Sequence, residues 1–223
     1  MLTLIIGNKN YSSWSLRPWI AMKQMGLEFD EVLIPLYLPD SHAKMLRHAP
    51  VAKVPILKDG DLTIWDSAAI LGHLAERYPD KPWWPGNKAA RARARSVCAE
   101  MHSGFLALRT HMPMNCRADK QVSGLTDAEQ KALDVDVARV KQIWQDSRRQ
   151  FGAGGEFLFG QFSIADAMYA PVVWRFKGYN TAVDATEQAY MDAMLALPAM
   201  QAWAEAGIAE SEHMAATDNL YTS

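Results

Sequence analysis

The stretch from Tyr78 to Gly86, YPDKPWWPG, holds three prolines and a glycine in nine residues. The spacing of apolar residues changes across it. Proline lacks an amide proton and fixes its backbone, so helices and strand ladders both stop at such a run. Before it, short β-like runs alternate with helical segments. After it, only helical periodicity is present. The chain therefore reads as two units: residues 1–80, a linker at 81–88, and residues 89–223.

In the first unit Leu2–Ile6 is a buried-strand run closed by Gly7. Ser15 to Met25 has helical spacing and stops at Gly26, a natural C-cap. Glu31 to Leu36 reads as a second strand, whose Pro35 marks a sheet edge or a strand end. A polar helical segment, Ser41 to His48, follows. The runs VPIL and LTIW flank Asp59-Gly60 and read as a hairpin. Ser67 to Tyr78 carries Ile70, Leu71, Leu74 and Tyr78 at helical spacing. The order β-α-β-α-β-β-α, with right-handed crossovers, predicts one mixed sheet with helices packed on it.

The second unit reads as all-α. Thr126 and Glu129 form a capping box ahead of a stripe of Leu133, Val137, Val140, Trp144, Ser147 and Phe151. Ser163 and Asp166 form a second box, followed by an almost wholly apolar helix that should be buried. Pro198 opens a last helix. Cys98 to Arg117 reads as one helix, with Met101, His102, Phe105, Arg109 and Met112 recurring along it. Such a stripe is more often core than pocket wall.

Charge narrows the function. The net charge is -2, and Lys and Arg are scattered except at Arg91 to Arg95, where they alternate with Ala as on a solvated helix face. This excludes a nucleic-acid footprint. The first ten residues have no basic region and too short an apolar run for a signal peptide, and nothing reaches membrane-spanning length. Two cysteines, Cys98 and Cys116, show no CxxC spacing, and His102 and His111 have no partners at ligand spacing. The expectation is a soluble cytoplasmic protein with no metal and no disulfide scaffold.

Three short motifs carry chemistry. Ser12 and Ser13 stand where a helix begins, beside Trp14; they cap that helix or hold a charged ligand atom. Val54-Pro55 precedes a strand. It marks an edge, or a cis bond that turns the Val54 main chain toward a peptide-like ligand. Asp66-Ser67 opens a helix, where both residues are good N-caps and where free amides suit a carboxylate while Asp66 suits an ammonium.

Together these features resemble the cytosolic glutathione transferase family along essentially the whole chain. SSWSLRPWIAM, Ser12 to Met22, is similar to zeta-class and related bacterial members, which have a cysteine where this chain has Trp14. The resemblance implies a thioredoxin-like βαβαββα domain followed by an all-helical domain. It further implies a homodimer, glutathione as co-substrate with no other cofactor, and detoxifying transfer to a small hydrophobic electrophile. It assigns the cysteinyl backbone to Val54, a cis bond to Pro55, the γ-glutamyl end to Asp66 and Ser67, and the glycine carboxylate to Lys53. Ser12 matches the serine at the thiolate, with Ser13 next. Tyr11 is the rival donor or a second-substrate contact, because other classes use a tyrosine at the end of the first strand. Met101, Phe105 and Arg109 are second-substrate candidates, and Arg17 is read as a packing residue.

A free thiol has a pKa near ~8.5, so a hydroxyl donor and a helix dipole need supply only about 1–3 kcal/mol to make thiolate dominant. An indole at position 14 cannot perform thiol–disulfide exchange, which argues against glutaredoxin-like chemistry from this loop. The alternatives on the same scaffold are a non-catalytic or stress-related glutathione-binding module and a glutathione-dependent isomerase or peroxidase.

Overall fold

The structure, a computed structural model, describes residues 1–221. The elements run β1 (Leu2–Ile6), α1 (Ser13–Gln24), β2 (Asp30–Leu33), α2 (Ser41–Leu46), β3 (Ile56–Asp59), β4 (Leu62–Trp65) and α3 (Ser67–Arg77). Then come α4 (Lys88–Ser103), α5 (Leu106–His111), α6 (Asp127–Phe151), α7 (Ile164–Gly178), α8 (Ala185–Leu195), α9 (Pro198–Ala209) and α10 (Ala215–Asp218).

The sheet order is β2-β1-β3-β4, with β1 parallel to β2 and antiparallel to β3, and β3 antiparallel to β4. Alternation along β1 sends Leu4 and Ile6 to one face and Ile5 to the other. Leu4 and Ile6 pack with Leu16 and Ile20 of α1 and Ile70, Leu71 and Leu74 of α3. Ile5 packs with Ile34, Met45, Ala49 and Ile56, beneath α2. Both faces of the sheet are covered. β2 and β4 are the edge strands, and β2 ends at Leu33, just before Pro35.

The helical half wraps α7, which is buried over nearly its whole length. α1 packs directly on α7, so one hydrophobic core spans both halves. Leu16 and Ile20 are fully buried there. Burying each side chain contributes about 1.5–3 kcal/mol. The two predicted capping boxes are present, at Thr126/Glu129 and Ser163/Asp166. Leu133, Val140, Trp144 and Ser147 of the α6 stripe are buried.

Two expectations are corrected. α1 begins at Ser13 and is capped by Ser12, two residues earlier than the apolar spacing suggested. The segment 98–117 is not one helix: α4 stops at Gly104, where a Cβ would meet the Glu100 carbonyl at 2.9 Å, and Phe105 takes φ +62°. The proline-rich run packs against the helical half. Trp83 is buried, its indole donates to the Tyr78 carbonyl at 2.9 Å, and its own carbonyl accepts from Ile164 at the start of α7.

Candidate active site

Strand register gathers the three motifs at one end of the sheet. Ile56 of β3 pairs with Ile5 of β1 and with Trp65 of β4. Val54 therefore enters β3, Gly7 leaves β1 and Asp66-Ser67 leaves β4 at the same end of the sheet. A Cβ at Gly7 would lie 2.8 Å from the Leu36 side chain, which would have to shift to admit it. The Val54–Pro55 bond is cis. Pro55 is buried, Val54 half-buried and Lys53 exposed. Among the described residues, the Val54 main-chain N–H and C=O have no partner. Unpaired backbone groups at a protein edge are where an extended peptide adds its own hydrogen bonds.

Asp66 is the N-cap of α3 at φ +75°, and its Oδ1 accepts from Ala68 and Ala69 at 2.8 and 3.4 Å. Its Oδ2 lies 3.3 Å from Nε2 of His102 on α4. Ser67 is completely buried, and its hydroxyl has no partner among the described residues.

The loop before α1 is held from both halves. The Asn8 side chain accepts from the Leu36 amide at 2.7 Å, and the Asn8 carbonyl accepts from Ser12 at 2.8 Å. Asn10 donates to Asn115 at 2.9 Å, and the Lys9 and Asn10 amides donate to Glu210. Trp203 donates to the Lys9 carbonyl at 2.8 Å. The serines that follow are thus preorganised.

The two serines differ in their commitments. Ser12 Oγ accepts from the Ser15 amide at 3.4 Å and donates to Ser15 Oγ at 2.8 Å, so it is used up within the cap. Ser13 Oγ accepts from Arg175 Nη2 of α7 at 3.3 Å, which leaves its proton uncommitted. Both are buried.

Trp14 is enclosed by cations. The Arg17 guanidinium lies 4.2 Å and that of Arg109 4.9 Å from its ring centroid, and His102 meets its edge at 5.3 Å. Arg17 is 1% exposed, yet its Nε and Nη1 have no hydrogen-bond partner among the described residues. Burial and the neighbouring Arg109 and Arg175 lower its pKa to about 9, so it stays charged at neutral pH.

The other candidates fall elsewhere. The Tyr11 hydroxyl donates to Asp218 Oδ2 at 2.7 Å and accepts from the Met214 amide at 3.2 Å, in the C-terminal segment. Burial and the Asp218 bond raise its pKa. Met101 and Phe105 are buried in the main core, while half-buried Arg109 is bound to the Gly104 and Met101 carbonyls beside Trp14. Burial pushes both thiols up, Cys116 to about 12. Among the described residues no cluster of three or more His, Cys, Asp or Glu side chains is placed to hold a metal ion, and no helix is long and apolar enough to cross a membrane.

Sequence reading missed Arg175 and the link from Asp66 to His102. The signal for Arg175 was its place in an otherwise apolar helix, where a buried charge needs a specific partner. His102 had no local signal, since its partner lies on another helix.

Profiles of the glutathione S-transferase N-terminal and C-terminal domains match residues 11–77 and 128–206. A probable maleylacetoacetate isomerase of Caenorhabditis elegans is 32% identical over 169 residues, spanning 75% of this chain and 75% of that relative. The chain belongs to the glutathione S-transferase family. Within the family, glutathione S-transferase GstB of Escherichia coli K12 is 27% identical over 182 residues, 76% of this chain and 82% of GstB. A glutathione transferase homologue from Burkholderia, solved with bound glutathione, superposes with a TM-score of 0.69 at 21% identity, covering 94% of this chain and 99% of that one. That likeness carries the glutathione S-transferase fold: a four-stranded mixed thioredoxin-like sheet joined to a helical domain.

Proposed function

We propose that this glutathione S-transferase activates the glutathione thiol with the Ser13 hydroxyl and adds the thiolate to a small hydrophobic electrophile. The observation that carries the reading is the uncommitted Ser13 proton at the first turn of α1, next to a Ser12 whose hydrogen bonds are already made. Family resemblance ranks Ser12 first; the hydrogen bonding favours Ser13, with Ser12 as the cap that sets the turn.

Glutathione fits the surrounding groups. Its cysteinyl main chain pairs with the open Val54 N–H and C=O beside Pro55. Its γ-glutamyl ammonium meets Asp66, and its carboxylate meets the α3 N-terminus and the unpartnered Ser67 hydroxyl. The exposed Lys53 faces the glycine carboxylate.

Ionising the thiol at neutral pH requires about 1–3 kcal/mol. A hydroxyl hydrogen bond and the α1 N-terminus supply this without a protein base. The proton passes to solvent. The sulfur lone pair forms the new bond to carbon, and with an aryl halide the halide leaves with its bonding electrons. Isomerisation is the second reading, because the nematode relative is a probable maleylacetoacetate isomerase; here the bound thiolate would add to the substrate and be regenerated. A homodimer follows from the family and is read by sedimentation.

The test is conjugation of glutathione to a chromogenic aryl halide. Wild type should turn over, Ser13→Ala should lose about tenfold or more in kcat, and Ser12→Ala should lose less. Glutathione binding without turnover across a panel of electrophiles and isomerisable enones would instead identify a binding module.

A further inference from the structure

Arg175 lies near the C-terminal end of α7 and is 4% exposed. Its Nη1 donates to the Met112 carbonyl at the end of α5, and its Nη2 donates to Ser13 Oγ. Among the described residues no carboxylate forms an ion pair or hydrogen bond with it. The charged and titratable groups acting on it are the Arg109 guanidinium and the Tyr179 phenol, while Arg17 stands close enough on α1 for the two guanidiniums to repel. Burying a cation with no counter-charge is costly, and here three converge on one turn. The acids that reach them are few: Asp66 acts on Arg17 and Asp136 on Arg109. The first turn of α1 therefore sits in a net positive field, with no acid acting on Arg175 itself. Two donor atoms of Arg17 there, Nε and Nη1, are without partners.

We propose that Arg175 is a positioning residue for the thiolate, holding Ser13 Oγ by a lone pair so that the hydroxyl proton faces the glutathione sulfur. The proposal rests on Ser13 as the sulfur's donor. A hydroxyl whose oxygen accepts from a guanidinium has its proton free to point away from that cation. A sulfur that accepts this proton lies about 6 Å from the guanidinium, within the range over which an opposite charge favours an ionised group. Arg175 thus acts twice, by orienting Ser13 and by its charge, and the sulfur becomes the missing anion of the arginine cluster.

The test is the thiol pKa of bound glutathione, from thiolate absorbance near 240 nm, in wild type, Ser13→Ala, Arg175→Met and Arg175→Gln. Arg175→Gln keeps a hydrogen-bond donor and guards against a Met variant that does not fold. Each folded Arg175 variant should raise the thiol pKa by about one unit. Turnover at pH 6.5 should fall about three- to eightfold and recover toward wild type at pH 8.5, with KM for glutathione within about threefold. In Ser13→Ala the Arg175 substitution should add less than it does alone, because part of its action runs through the hydroxyl. If Ser13→Ala raises the pKa and a folded Arg175 variant leaves it at the wild-type value, the role assigned to Arg175 is wrong and Ser13 stands. If Ser13→Ala itself leaves the pKa unchanged, the serine reading fails and the positioning role with it.

Discussion

Asp66 of the thioredoxin-like half and His102 of the helical half meet at 3.3 Å, between Oδ2 and Nε2. The same His102 ring rests edge-on against Trp14, two residues past Ser12. One side chain thus ties the proposed γ-glutamyl site to the proposed sulfur site. His102→Phe keeps an aromatic ring and removes the bond to Asp66. A hydrogen bond that orients a side chain contributes about 0.5–1.5 kcal/mol, so KM for glutathione should rise about two- to tenfold with kcat changed less. Steady-state kinetics against glutathione check this; an unaltered KM counts against the link.

Asp66 combines a cap with a positive φ, and two substitutions separate these from ligand binding. Asn caps well and tolerates the left-handed region. Asp66→Asn should keep stability within about 0.5 kcal/mol while weakening glutathione binding through the lost charge. Asp66→Ala loses the cap and strains the backbone, and should cost about 1–2 kcal/mol as well. Urea unfolding and calorimetric titration of glutathione report the two effects independently.

Tyr11 should prove structural. Its hydroxyl joins Asp218 and the Met214 amide, and so straps the C-terminal segment across the loop before α1. Tyr11→Phe is expected to lower stability by about 1 kcal/mol and leave the thiol pKa of bound glutathione unchanged. A rise in that pKa, read by absorbance, would return Tyr11 to the site.

Asp166 gives stability a pH signature. It is fully buried, and burial raises its carboxyl to about 6 although it accepts from Leu158 and Ser163. The ordinary value is 3.8. Because the folded value is the higher one, its contribution is present below about pH 4 and is lost as pH rises through about 6. A shift of roughly two units corresponds to about 3 kcal/mol. The stability advantage of wild type over Asp166→Asn should therefore shrink by about that amount between pH 4 and pH 7 in urea unfolding. A pH-independent difference would contradict the burial effect.

Local chemistry made much of this fold legible. Asp59-Gly60 specified the hairpin, Gly26 the end of α1, and the Thr126 and Ser163 boxes the starts of α6 and α7, because each acts over a few residues. Val54-Pro55 and Asp66-Ser67 could be singled out for the same reason. Contacts between distant segments were not legible. Ser13 meets Arg175 across 162 positions, and Tyr11 meets Asp218 across 207, so no periodicity connects them. The break at Gly104 was hidden because the apolar spacing of Met101, Phe105 and Met112 continues through it, and all three remain in the core.

The most direct test is a crystal structure of the complex with glutathione. The sulfur should lie within about 3.5 Å of Ser13 Oγ, on the side away from Arg175, with the cysteinyl main chain paired to Val54. A sulfur bonded to Ser12 alone, or distant from both serines, contradicts the account.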